Sequence, residues 1–103
     1  MYIYITEISA ELAEPQDVTQ FAVVCPDDLE RDKIEATVRQ QGLGELLPDG
    51  GHVMVSVDAI RRMASGRVGP GWPDDFAKMI DFAAGKGWTS EDRSQVRAHI
   101  ERV

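Results

Sequence analysis

Apolar runs along the chain predict three strands. Tyr2 to Ile8 combines aromatic and β-branched residues, and both of its faces are largely apolar, which is typical of a strand covered on two sides. A second strand is predicted from Val18 to Cys25, and a third from His52 to Val57, directly after a Pro-Asp-Gly-Gly turn. The segment between the first two strands contains Ala-Glu-Pro-Gln-Asp and is predicted to be a connection.

Helical periodicity predicts four helices in the rest of the chain. The first runs from Asp27 to Gln41 and joins the second strand to the third. A short helix from Ala59 to Ser65 follows the third strand. A loop rich in glycine and proline separates it from a helix over Pro73 to Ala84, whose apolar residues recur at i, i+3, i+4 and i+7. The last helix is predicted from Thr89 onward, with a narrow apolar stripe that ends at Val103.

This order of elements predicts an α+β fold with a small three-stranded mixed sheet. We expect the first strand to lie between the other two and antiparallel to both, which gives the strand order 2-1-3. One right-handed crossover helix then joins the two outer, parallel strands. We expect a single domain over residues 1–103, in which residues 1–65 form an α/β core and residues 73–103 form a C-terminal helical hairpin packed on it.

Charge limits the classes of partner that the chain can bind. The 103 residues include 18 acidic and 11 basic side chains, for a net charge of −7. Residues 1–51 alone carry a net charge of −8, whereas residues 52–103 carry +1. A surplus of acid opposes binding to nucleic acid and to anionic membranes, since both require cationic side chains. No apolar run is long enough for a membrane span, and we expect a cytoplasmic protein.

Few side chains suggest catalytic or metal chemistry. Cys25 is the only cysteine, so an intramolecular disulfide is excluded, and we interpret it as a buried structural residue. His52 and His99 lack the spacing of a metal motif, and we assign them structural or surface roles. The two Asp-Asp pairs begin predicted helices, where the helix dipole favours carboxylates. We therefore predict no catalytic residue, no metal and no cofactor.

The loop from Gly66 to Gly71 and its flanks form the candidate interaction surface: Arg61, Arg62, Arg67 and Trp72. The glycine spacing matches neither a P-loop nor a dinucleotide fingerprint. Cations and an indole close together could bind an anion, an acidic partner or the acidic first half of a second copy. The alternative is an ordinary interhelical connection in which Trp72 packs against the core. Trp88, which follows the end of a helix, is interpreted as a packing anchor.

The second half of the chain resembles a group of bacterial proteins. The residues that carry the resemblance are Val55-Ser56-Val57, Gly71-Trp72, Phe76, Met79, Phe82-Ala83, Lys86-Gly87-Trp88 and Val96-Arg97-Ala98-His99-Ile100-Glu101. This part looks like the C-terminal half of small uncharacterised actinobacterial proteins, and the likeness covers about half the chain. The resemblance implies a bacterial cytoplasmic origin and brings no activity, cofactor or catalytic residue.

Three classes of function follow from these observations. The first is a non-enzymatic interaction or accessory protein, with a protein partner or a homodimer. The second is a sensor or enzyme that binds a small molecule or an anion through Arg61, Arg67 and Trp72. The third is a nucleic-acid-associated regulator that uses the C-terminal helices, against which the net charge counts. We favour the first, because the sequence contains no catalytic constellation.

Overall fold

Six strands form one mixed sheet in the computed structural model, which describes all 103 residues. The strands are β1 (Tyr2–Ile5), β2 (Ala10–Ala13), β3 (Ala22–Cys25), β4 (Gly44–Leu46), β5 (His52–Ser56) and β6 (Gln95–Arg102). Their order across the sheet is β2-β1-β3-β6-β5-β4. The pairs β1/β3 and β3/β6 are parallel, and the other three pairs are antiparallel. The chain is α+β, but the predicted three-stranded sheet in the order 2-1-3 is wrong.

Three helices accompany the sheet: α1 (Arg31–Gln40), α2 (Val57–Ala64) and α3 (Trp72–Gly85). Helix α2 follows β5 without a break, and Ser56 caps it, since its Oγ accepts a hydrogen bond from the Ala59 amide at 3.1 Å. Helix α3 lies within one residue of its predicted bounds at both ends, because Pro73 opens the first turn and the apolar spacing holds throughout. No helix is long and apolar enough to cross a bilayer.

The predicted C-terminal helical hairpin is wrong, because its second member is the strand β6. Val96 and Ala98 are buried and alternate with exposed residues, which is the two-residue period of a strand. Strand β6 pairs with β3 on one side and β5 on the other, so backbone pairing on both edges decides its conformation. Residues 73–103 therefore do not form a unit packed on residues 1–65, since their last strand lies in the middle of the sheet.

The predicted topology of the first half also needs correction. Strands β2 and β4 were not predicted, and both are short edge strands of four and three residues. Strand β1 does lie inside the sheet, but it is parallel to β3 rather than antiparallel. The predicted parallel crossover from β3 to β5 is wrong as well. These strands are separated by β6, which is parallel to one and antiparallel to the other.

The hydrophobic core lies on only one face of the sheet. A cluster of 20 buried residues joins the strands to all three helices, and Ile3 and Ile5 of β1 belong to it. Tyr2 and Tyr4 alternate with them and point to the opposite face, where they are only half-buried. The prediction that both faces of this strand are covered is therefore wrong. The second face has no covering helix and is called the open face below.

Candidate functional site

The loop predicted to carry the interaction surface is fixed to β2 and to the segment that follows it. The Arg67 guanidinium donates hydrogen bonds to the carbonyl oxygens of Leu12 at 2.8 Å and Met63 at 3.4 Å. The indole nitrogen of Trp72 donates to the carbonyl of Pro15 at 2.7 Å. These bonds satisfy carbonyl groups of the chain's own backbone, so Arg67 and Trp72 hold the loop in place.

Further contacts within the chain involve the Trp72 ring and the Arg61 side chain of the predicted surface. Trp72 is 4% exposed and stacks on Phe76 with 4.6 Å between the ring centroids. The Arg61 guanidinium covers the same Phe76 ring at 5.4 Å and lies 3.7 Å from the Asp58 carboxylate. Arg62 is exposed and has no ion pair. Trp72 therefore offers no surface to a partner, and Arg62 is the one residue of the four whose side chain has no hydrogen bond, ion pair or ring contact within the chain.

The open face brings together aromatic and polar side chains that the sequence analysis left unconnected. The strand registers place Tyr4 beside Val24, and Val24 beside Glu101. One row further along, β5 and β6 place His52 directly opposite His99. Side chains in register on neighbouring strands lie on the same face, within contact distance of one another. Two tyrosines, two histidines and a glutamate thus share the open face.

Part of the open face forms a depression of about 420 Å³. Its lining residues are Met1, Tyr2, Tyr4, Glu14, Asp17, Gln20, Phe21, Ala22, Val24, His99, Glu101 and Val103. They include three carboxylates and no lysine or arginine side chain. The amino group of Met1 is a cation within the lining, and it donates a hydrogen bond to the carbonyl oxygen of Asp17 at 2.9 Å. The lining of the depression therefore combines three carboxylates with aromatic and aliphatic side chains.

Local hydrogen bonds hold two of the three carboxylates of this depression, those of Asp17 and Glu101. The Asp17 carboxylate accepts hydrogen bonds from the hydroxyl and the amide of Thr19, and these bonds lower its pKa, with a smaller contribution from the N-terminal ammonium. Asp17 is therefore ionised at neutral pH. Glu101 Oε1 lies 2.8 Å from Nε2 of His99, which orients both side chains on the same strand.

The histidine pair does not form a metal site. His52 Nδ1 lies 2.8 Å from the Asp49 carboxylate, and His99 has Glu101 as its own partner. No group of three histidine, cysteine, aspartate or glutamate side chains in the chain has an arrangement that could hold a metal ion. The two histidines therefore contribute hydrogen-bonding groups to the open face, each oriented by a different carboxylate.

A second group of exposed apolar side chains lies at the end of α3. Phe82 is 63% exposed and Trp88 is 40% exposed, and their rings meet edge to face at 6.2 Å. Trp88 was interpreted as a packing anchor, and one of its contacts is with this exposed ring. The sequence could have indicated this exposed group, because Phe82 lies outside the apolar i, i+3, i+4, i+7 stripe that was predicted to be the buried face of α3.

Cys25 lies on the core face of β3 and is fully buried. Burial raises the pKa of its thiol, and this effect exceeds the opposing influence of Arg102. A thiol kept protonated and out of contact with solvent is a poor nucleophile. The burial predicted from the sequence is confirmed.

We expect Cys25 in the native protein to react slowly with a thiol reagent near neutral pH and to react rapidly after unfolding in urea. Cys25→Ser should still fold, with a loss of about 1–3 kcal/mol of stability, because the new hydroxyl is buried without a hydrogen-bond partner. Labelling followed by mass spectrometry checks the first expectation. Rapid stoichiometric labelling of the native protein would contradict it.

No protein-family model, no curated protein and no solved structure matches this chain.

Proposed function

We propose that the protein is a non-enzymatic interaction protein whose open face receives a lysine or arginine side chain from a basic segment of a partner protein. The depression that combines tyrosine rings with three carboxylates is the observation that carries this proposal. Ammonium and guanidinium groups are attracted to the faces of aromatic rings, and carboxylates form charge-assisted hydrogen bonds with them. The depression offers both kinds of contact to one cation.

The shape of the face favours a protein segment over a free small molecule. The depression is open to solvent on one side, whereas sites for small ligands typically enclose most of the ligand. The open face continues across β5 and β4. Met54 of β5 lies opposite Arg97 of β6 on one side and opposite Glu45 of β4 on the other. An extended segment can therefore contact the sheet beyond the depression, with its cationic side chains placed at the depression and away from the exposed Arg97.

The overall charge of the chain supports a basic partner. Residues 1–51 carry a net charge of −8, and they supply Tyr2, Tyr4, Glu14 and Asp17 to the depression. Such a field speeds the encounter with a cationic partner and disfavours an anionic one. We place this interaction in the cytoplasm, as the sequence analysis predicted.

The two alternatives from the sequence have less support. An anion site at Arg61, Arg67 and Trp72 would have to break the contacts that these side chains make within the chain. A nucleic-acid site on a pair of C-terminal helices has no basis, because the last predicted helix is the strand β6.

Titration calorimetry with a short capped peptide of alternating arginine and serine tests the proposal. We expect this peptide to bind at low salt, and the matched peptide with glutamate in place of arginine not to bind. The double variant Glu14→Gln, Glu101→Gln should weaken binding by about tenfold or more, because it removes two of the three carboxylates. Glu91→Gln is the control, since Glu91 is exposed, forms no ion pair and does not line the depression.

Several outcomes would overturn the proposal. The proposal is wrong if the arginine peptide does not bind, if it binds the double variant and the control equally, or if its binding does not weaken as the salt concentration rises. Spermidine is titrated in parallel. Binding of spermidine without binding of the peptide would replace the protein partner with a small amine and contradict the proposal as stated.

A further inference from the structure

One flank of α3 carries a symmetric pattern of side chains, of which Asp75, Phe82 and Lys86 are exposed and Met79 is half-buried. Asp75, Met79, Phe82 and Lys86 follow one another at intervals of four, three and four residues, and Lys86 is the C-terminal capping residue of the helix. This spacing keeps the four side chains on one stripe of a helix, as in the contact seam of a coiled coil. We call this stripe the α3 seam.

The seam is complementary to itself when two copies run antiparallel. Reversing the helix exchanges Asp75 with Lys86 and Met79 with Phe82. An antiparallel second copy therefore places each Asp75 opposite a Lys86, and each Met79 opposite a Phe82. Both ends of the contact then pair opposite charges, and its centre pairs apolar side chains.

The charged ends of the seam are free to make such pairs. Neither Asp75 nor Lys86 belongs to an ion pair within the chain. The Lys86 ammonium group lies 5.5 Å from the centroid of the Phe82 ring, where it can turn toward a carboxylate of a neighbouring chain. Asp75 lies in the first turn of α3 and is exposed. The exposed cation and anion thus lie at opposite ends of an apolar centre that consists of the half-buried Met79 and the exposed Phe82.

The surroundings of the seam leave room for a second helix. Val18 and Thr19 form one wall of a groove of about 420 Å³, and Asp75, Met79 and Phe82 form part of the other. The exposed Trp88 extends the apolar surface beyond Phe82. Exposed aromatic side chains of this kind are enriched at the centres of protein interfaces.

From this geometry we infer that the chain forms a two-fold symmetric dimer in which the α3 seams pack antiparallel. A two-fold contact uses the same surface on both copies and closes at two subunits. The seam shares no residue with the depression on the open face. Gln20 and Phe21 line both that depression and a second pocket beside Met79 and Phe82, so the two surfaces adjoin. The inference of a dimer does not rest on the proposed function.

Sedimentation velocity over a range of protein concentrations tests the dimer. We expect a reversible dimer for the wild type and a monomer for Phe82→Asp, which places a charge at the apolar centre. Lys86→Glu should weaken the dimer by about tenfold or more, because it sets two carboxylates opposite each other at both ends. The double variant Asp75→Lys, Lys86→Glu should restore dimerisation, since the pairs reform with reversed signs.

Asp74→Lys is the matched control. It makes the same charge change in the same helical turn as Asp75→Lys, but about 100° away around the helix. We expect it to leave the dimer unchanged. A wild-type monomer at every concentration, an oligomer larger than a dimer, or a dimer that survives Phe82→Asp would overturn the inference. Failure of the charge reversal to restore the dimer would overturn the antiparallel arrangement. Circular dichroism confirms that each variant is folded.

Discussion

Trp72→Ala should lower the free energy of unfolding by about 3–5 kcal/mol. The substitution removes a buried ring that stacks on Phe76 at 4.6 Å, and it leaves a cavity between α3 and the loop before it. It also removes the donor to the Pro15 carbonyl, which loses its hydrogen bond. For a domain of this size the loss corresponds to a fall in melting temperature of more than about 12 °C.

Urea unfolding of Trp72→Ala and Trp88→Ala provides a comparison of two tryptophan variants. Trp88 is 40% exposed, so its truncation removes less buried surface and leaves no enclosed cavity. We expect a cost of about 1 kcal/mol for Trp88→Ala. Equal urea midpoints for the two variants would show that Trp72 is not the internal anchor that the structure describes.

Gly44→Ala has the second large expected effect, a loss of roughly 2–5 kcal/mol. The residue has a φ of +138°, which side-chain-bearing residues rarely adopt. A Cβ there would also lie 1.9 Å from the carbonyl oxygen of Met54 on the neighbouring strand. Strands β4 and β5 would have to separate to admit it, and their pairing would weaken.

Gly85→Ala is the control for this glycine. Gly85 is the last residue of α3, and a Cβ added there would meet no neighbouring atom within 4 Å. Alanine should be neutral or stabilise the protein by up to about 1 kcal/mol there, because it favours the helix. Thermal unfolding of both variants checks the difference. A Gly44→Ala protein as stable as Gly85→Ala would show that β4 does not approach β5 as described.

Local sequence signals predict α3 correctly and β6 wrongly, because they agree with the tertiary contacts only in α3. Pro73 and the apolar spacing of α3 are local signals that agree with its tertiary packing. In β6, Val96 and Ile100 are four residues apart, which fits a helical stripe, while Ala98 between them completes a strand pattern. Only the partner strands β3 and β5 decide between the two periods, and neither lies nearby in the sequence.

The error in β6 also explains why the candidate site was misplaced. The apolar residues on both faces of β1 predict a strand covered on two sides, and the predicted C-terminal hairpin would have been available to cover the second face. Because β6 is inside the sheet, no helix remains for that face. Likewise, the partners of Arg67 and Trp72 are carbonyls in and after β2, a strand that the sequence analysis treated as a connection.

A titration followed by two-dimensional NMR tests most directly the claim that the open face is the binding surface. Addition of the arginine-serine peptide should shift the amide signals of Tyr2, Tyr4, His99 and Glu101, with little change along α3. These residues come from both ends of the chain and meet only through the sheet order β1-β3-β6. Shifts confined to Arg61 through Trp72, shifts confined to the α3 seam, or no shifts at all would contradict the claim.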